Sequence, residues 1–386
     1  MTVLLVSTGL LLALLVVELV FHERSLEAIP LRISITGTRG KSSVVRLLAS
    51  VLREDGRTVV AKTTGSRAVL ILPDGSEEDV PRRGIPSIIE QKRYVRQAAG
   101  VGADVMVLEA MSIHAENHRV ESHRLVRPHI VAITNARPDH VGAMGTTAEE
   151  VAEVLASGIT LDADVYLPLS ESREVFNRGR TFTEVEPGSP GPSTADGGAL
   201  RSFEFNENLD LVRGISHHLG ISDETIRKGI DAAARDIGAL TIWRYRSESI
   251  GREHFLVNAF ASNDPLSTRE AFLRVRDLCP GCEERMYGLL NLRIDRGDRT
   301  LQWIDALRGE WADSFQTLHV TGGHARALSR RLSDARLLRE RDPVKLTGLI
   351  LSGLPDGAVL FGFGNIGGMG ESLVDHWSRR GVPHGI

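Results

Sequence analysis

The stretch Leu31–Leu48 reads LRISITGTRGKSSVVRLL. Leu31–Thr36 is a short β-branched run, the pattern of a buried strand. Gly37-Thr38-Arg39-Gly40-Lys41-Ser42 breaks it, and Val44, Val45, Leu47, Leu48 and Val51 follow at helical spacing. Strand, glycine-rich loop, Lys-Ser and helix together predict a phosphate-binding loop. The glycines let backbone N–H groups approach phosphate oxygens, and the helix N-terminus adds positive potential. Lys41 adds a point charge, and the Ser42 hydroxyl suits Mg²⁺. Gly37, Thr38, Arg39, Gly40, Lys41, Ser42 and Ser43 are therefore the candidate nucleotide-binding residues. The match to G-x-x-x-x-G-K-[ST] is shortened, because Ile35 stands where the first Gly belongs. The plainer reading is a tight strand-to-helix turn with an exposed lysine.

The chain of 386 residues is long enough for two domains at ~150 residues each. Its 42% hydrophobic and 25% charged residues suit a globular protein with a large core. A net charge of −4 gives no sign of a nucleic-acid partner. The 2 cysteines, Cys279 and Cys282, form a lone CPGC that cannot complete a four-ligand zinc site.

Val3–Phe21 is apolar apart from Ser7, Thr8 and Glu18, just long enough to span a bilayer. A cleaved signal peptide and a buried helix are the alternatives. The missing basic flank and small-x-small site argue against cleavage. The expectation is one N-terminal membrane anchor over residues 1–24, with Arg24 and Arg32 placing the rest in the cytoplasm. The globular core is expected to start near Leu31.

Strand and helix patterns then alternate, which predicts a mostly parallel α/β sheet. Asp104–Leu108 reads as a strand ending at Glu109, and His129–Thr134 as one ending at Asn135 in the NARPDH run. In a doubly wound sheet, ligands bind beyond the carboxyl ends of the strands. If these strands are parallel neighbours, the Lys41-Ser42 loop, Glu109 and the loop of Asn135, Asp139 and His140 converge. Ser42, Glu109 and His140 are the candidate metal ligands. Lys41, Glu109 and His140 are the candidate catalytic groups of this domain. Residues 186–198 lack periodicity and read as a flexible insertion.

This combination resembles the Mur ligase and folylpolyglutamate synthetase superfamily, whose phosphate loop reads G-T-x-G-K-[ST] and whose second loop reads N-x-x-x-D-H. The superfamily's adenine-side Asn is matched by Asn208. A closer resemblance is to the PgsB/CapB type of poly-γ-glutamate synthase subunit. It is carried by KTTG at Lys62–Gly65, FASNDPLST at Phe260–Thr268, NLRIDRGDRT at Asn291–Thr300 and GFGNIGG at Gly362–Gly368. One departure is that Thr146–Thr160 holds no Lys to play the carbamylated residue of many Mur ligases. Another is that Arg244 alone is near the position of an Arg that the family keeps ahead of its last domain.

The resemblance implies an α/β fold with a P-loop, Mur-ligase-like ATPase domain over residues 25–240. A Rossmann-like α/β domain over 241–386 follows, and one transmembrane helix precedes both. It implies ATP and one or two Mg²⁺ ions, replaceable by Mn²⁺, with glutamate and a poly-γ-glutamate chain as substrates. Its implied partners are small membrane subunits of the same synthase, and a homo-oligomer is open. The expected reaction activates a γ-carboxylate as an acyl phosphate and joins it to a glutamate amine as the two domains close.

In the C-terminal domain, Asn263 and Asp264 follow a strand, as do Arg293, Arg296 and Arg299. Guanidinium pairs bidentately with carboxylate, so Asn263, Asp264, Arg293 and Arg296 are the candidate substrate-binding residues. Asp264 and Arg296 are also candidates for catalysis. Gly362–Gly367 satisfies G-x-G-x-x-G, but the chain ends before the acidic strand that a dinucleotide fingerprint requires. A tight turn is the expectation there. A membrane-anchored NTPase driving or regulating polymer export is the rival reading, and a nucleotide-sensing subunit is a third.

Overall fold

The computed structural model describes residues 1–65, 67–82, 84, 86–138, 140–188, 206–247, 251–279 and 285–384. Most of the expected insertion at 186–198 lies outside the described residues, as do Arg83, Asp139 and Cys282. The described residues through Arg235 form one compact unit and those from Asp236 a second.

The first unit holds eight strands: β1 (Leu31–Thr36), β2 (Val59–Lys62), β3 (Val69–Ile71), β4 (Glu77–Asp79), β5 (Val105–Glu109), β6 (Ile130–Ile133), β7 (Asp164–Pro168) and β8 (Thr181–Val185). Their order is β4-β3-β2-β5-β1-β6-β7-β8. From β2 to β8 all neighbours are parallel. The β3–β4 hairpin adds an antiparallel edge. Strand β1 is buried along nearly its whole length, as a parallel strand covered on both faces must be. Helix α2 (Lys41–Glu54) lays Val44, Val45, Leu47, Leu48 and Val51 into the same core as Ile33 and Ile35. Each such side chain contributes about 1.5–3 kcal/mol of burial. The hairpin escaped the sequence pattern because Glu77, Glu78 and Asp79 are all exposed. Charge on an edge strand blocks further pairing.

Helix α1 spans Thr2–Glu27 and is the one described helix long and apolar enough to cross a membrane. The core begins earlier than expected. Leu26 and Ile29 are fully buried with Tyr94 and Val95 of helix α3 (Glu90–Gly100). The buried Arg32 guanidinium donates to the carbonyls of Leu26 (2.6 Å), Ile29 (2.7 Å) and Val126 (3.0 Å). Glu23 accepts from Arg127 at 2.6 Å. Removing residues 1–17 is therefore expected to leave the thermal transition intact. Removing 1–30 deletes two core side chains at about 2–5 kcal/mol each and strands Arg32. That truncation should fail to show a cooperative melt, and a normal melt would exclude the end of α1 from the core.

The second unit holds β9 (Thr241–Arg246), β10 (Glu253–Asn258), β11 (Met286–Leu292), β12 (Leu318–Gly322), β13 (Ala335–Leu337), β14 (Val359–Phe363) and β15 (Val382–Pro383), in the order β13-β12-β11-β14-β10-β9-β15. The five strands from β13 to β10 are parallel, and β9 and β15 are antiparallel. Phe272, Trp303, Trp311, Phe361 and Phe363 fill one core cluster, and Trp243, Phe260 and Trp377 another.

Candidate active site

Register gathers the sequence candidates of the first unit. Ile35 pairs with Glu109 and Thr36 with Ile133, so β5, β1 and β6 end at one edge with their following loops side by side. Asn135 locks two of those loops together. Its Oδ1 accepts from the Thr38 hydroxyl at 2.6 Å and the Arg39 amide at 3.0 Å, and its Nδ2 donates to the Arg39 carbonyl at 3.1 Å. Gly40 caps α2 with φ of 81°. A Cβ there would also lie 2.6 Å from Oδ1 of the buried Asn208. Only glycine satisfies both the left-handed backbone and this close approach. Lys41 Nζ donates to the Gly37 carbonyl at 2.8 Å.

The Ser42 hydroxyl donates to Glu109 Oε2 at 2.7 Å. The same carboxylate oxygen accepts from the amides of Thr64 (2.7 Å) and Gly65 (3.3 Å). These amides belong to the KTTG run after β2, whose Lys62 pairs in register with Leu108 beside Glu109. Gly65 keeps the pocket open, because a Cβ there would stand 2.6 Å from Ser42 Oγ and 3.3 Å from Glu109 Oε1. A hydroxyl and a carboxylate at the mouth of a phosphate-binding loop are the hard-oxygen donors that Mg²⁺ takes, with phosphate oxygens and water filling the rest. The residues present thus fit a nucleotide–Mg²⁺ complex. Among the described residues no three His, Cys, Asp or Glu side chains gather as a metal cluster. His140 opens the short helix Val141–Met144 with φ of 45°, its carbonyl accepting from Ala143 at 2.7 Å.

Behind Glu109 lies a buried network that sequence reading missed. Glu121 accepts from the amides of Met111 (3.1 Å) and Ser112 (3.0 Å), fixing the backbone that leaves β5. Gln91 donates to Glu121 at 2.7 Å and to the Glu109 carbonyl at 3.4 Å, and accepts from Lys62 at 3.2 Å. Lys62 is fully buried and paired with Glu90 at 2.8 Å. Burial pulls its ammonium below the usual lysine range, with Glu90 acting the other way. The available signal was Lys62 itself, a lysine closing a buried strand. His118 is buried nearby with no partner on Nε2. Burial first and the Lys41 charge second bring its pKa down to about 4, so it is neutral near pH 7.

In the second unit the candidate residues again follow strand ends. Asp264 caps helix Pro265–Leu278, accepting from the Ser267 amide at 2.9 Å. Arg299 is buried, hydrogen-bonded to Asn263 and 3.8 Å from Asp264. It holds that turn rather than offering a free guanidinium. Arg293 is exposed and pairs with Asp295 at 2.7 Å. Arg296 stands at the N-terminus of helix Gly297–Arg308. Arg244 lies exposed on β9, 3.7 Å from Glu253.

The glycine-rich Gly362–Gly368 run docks on the Asn291 run. Asn291 Nδ2 donates to the carbonyls of Asn365 (2.6 Å) and Gly367 (3.2 Å). At Gly364 φ is +100°, and a Cβ would press on Leu290 and the Asn291 carbonyl.

Two family models match the chain: the Mur ligase middle domain over residues 35–157 and the poly-gamma-glutamate synthase CapB C-terminal domain over 244–380. The PGA synthase CapB of Bacillus subtilis (strain 168) is 31% identical, over 97% of this chain and 97% of that protein. The capsule biosynthesis protein CapB of Bacillus anthracis is 32% identical, over 73% of this chain and 61% of its own length. Among solved structures, Escherichia coli FolC in complex with DHPP and ADP superposes with a TM-score of 0.67 at 15% identity, covering 94% of this chain and 93% of that one. The bifunctional folylpolyglutamate synthase/dihydrofolate synthase of Yersinia pestis complexed with AMPPNP and Mn ion gives 0.68 at 14% identity, covering 94% and 91%. At such identities the likeness is one of fold.

Proposed function

The chain belongs to the CapB family of poly-γ-glutamate synthases, ATP-dependent amide ligases, and on that premise we propose a division of labour between its two units. The first binds ATP and activates a glutamate γ-carboxylate. The second binds the glutamate whose amine takes up the activated group. The observation that carries the ligase reading is the relationship to a poly-γ-glutamate synthase along 97% of the chain. A transport NTPase has no need of the second α/β unit, so the ligase is favoured over polymer export.

Joining a carboxylate to an amine in water is uphill. A γ-carboxylate oxygen therefore attacks the γ-phosphorus of ATP, the bond to the bridging oxygen breaks, and ADP leaves. The amine nitrogen then attacks the acyl carbon, loses a proton and expels phosphate. Transfer of this kind depends on positioning and electrostatics. The amides of the Gly37–Ser42 loop and Lys41 cradle the phosphates, and Ser43, in the first turn of α2, is assigned to the same site. Asn208, packed on Gly40, is assigned to the base. Ser42 and Glu109 would hold Mg²⁺ or Mn²⁺, with His140 as a further ligand. The ion supplies positive charge against that developing on the transferred phosphoryl group.

Asn263, Asp264, Arg293 and Arg296 are assigned to the acceptor glutamate. Its carboxylate would take the place of Asp295 on Arg293. We assign residues 1–24 to a membrane anchor, 25–240 to ATP binding and 241–386 to the acceptor domain, with small membrane subunits of the same synthase as partners.

Supplying membranes of the complete synthase with ATP and labelled glutamate tests the reading, scoring polymer and ADP against AMP. AMP as product would eliminate the acyl phosphate. In the same assay, Arg296→Ala is expected to weaken the use of glutamate by about 10–100-fold, the size of one lost charged hydrogen bond, with ATP affinity unchanged. Lost ATP binding instead would remove Arg296 from the acceptor site.

A further inference from the structure

We propose that helix α3 is a membrane-facing surface. Its exposed Arg93 and Arg96, with Arg24 near the end of α1, meet the anionic headgroups of the bilayer that α1 enters. The inference rests on α1 being a membrane span.

Its first support is rigidity. The last turns of α1 are built into the first unit through buried Leu26, the Glu23–Arg127 pair and the Arg32 bonds to the Leu26 and Ile29 carbonyls. The span is thus a fixed extension of the unit rather than a loose tether.

The second support is position. Lys92 of α3 meets Glu18 of α1 at 3.0 Å, so the unit already stands beside the helix at residue 18. Leu19, Val20 and Phe21 are exposed although they lie beyond Glu18. A charged pair is costly within hydrocarbon, so the Glu18–Lys92 pair belongs at its edge, which puts α3 in the headgroup layer.

The third support is charge. Arg93 and Arg96 are exposed, and Arg96 lies one turn on from Lys92. Glu90 of the same helix is occupied by Lys62 and Arg82. Basic residues at a bilayer surface select anionic lipid, each by about fivefold.

The test uses the full chain in vesicles of phosphatidylcholine alone or with phosphatidylglycerol. A fluorophore is attached at Ile89→Cys, which is 56% exposed before α3, or at Leu161→Cys, 80% exposed, as reference. Both carry Cys279→Ala and Cys282→Ser, and a headgroup-bound quencher reports proximity. Quenching several-fold stronger at 89 than at 161 is expected, rising with phosphatidylglycerol. Arg93→Gln with Arg96→Gln should remove that rise while the protein stays in the vesicles. Equal quenching at both positions, or no response to anionic lipid, overturns the surface and leaves the span standing. Extraction of the chain by alkaline carbonate overturns the span, and the surface with it.

Discussion

Replacing Lys41 by alanine is expected to lower ATP-dependent polymer formation about a thousandfold in a protein that still folds. The side chain is half-exposed, and its ammonium donates to the Gly37 carbonyl. Its loss costs the fold about 1.5 kcal/mol. The strand, loop and helix are held by β1, by Asn135 and by the buried face of α2, none of which the substitution touches. Charge aimed at a reacting centre in a water-poor site is worth more, about 3–4 kcal/mol for one donor. Stability and turnover should therefore separate. Thermal melting and glutamate-dependent ADP release, measured on the same preparation, check this. Near-normal turnover in folded Lys41→Ala would take the loop out of the mechanism.

Glu109→Gln should lose about 10²–10³ in rate and need more Mg²⁺ for half-maximal turnover. The amide has the shape of the carboxylate, so its oxygen can still accept from the Ser42 hydroxyl and the Thr64 amide. The folded state should keep its melting temperature within a few degrees. What disappears is the negative charge beside Ser42, on which a hard divalent cation depends. Titrating Mg²⁺ against activity in wild type and variant reads the effect directly. An unchanged Mg²⁺ requirement would leave Glu109 as a structural acceptor for the KTTG turn and nothing more.

The two changes probe different parts of one edge of the sheet. Lys41 depends on a local turn, and Glu109 depends on a strand neighbour. The same distinction separates what was legible in the chain from what was not.

A buried strand, a left-handed glycine and an amphipathic helix are local events, and their patterns are written in consecutive residues. Leu31–Leu48 therefore declared the strand, the glycine loop and the helix by itself. Glu109 and Asn135 could be placed at strand ends for the same reason. So could the strand-end positions of Asn263 and Arg293 in the second α/β unit. Partners are decided by strand order and register, which no window of sequence contains. Tertiary structure alone brought the Thr64 and Gly65 amides onto Glu109 and tied Gln91 to both Lys62 and Glu121. It turned Arg299 inward to Asn263 and laid Gly362–Gly368 on Asn291. It also drew the end of an apolar helix into the core through Leu26, Ile29 and the carbonyls that Arg32 binds. Hydropathy shows that a segment leaves water, but whether lipid or protein receives each turn is set by what packs beside it.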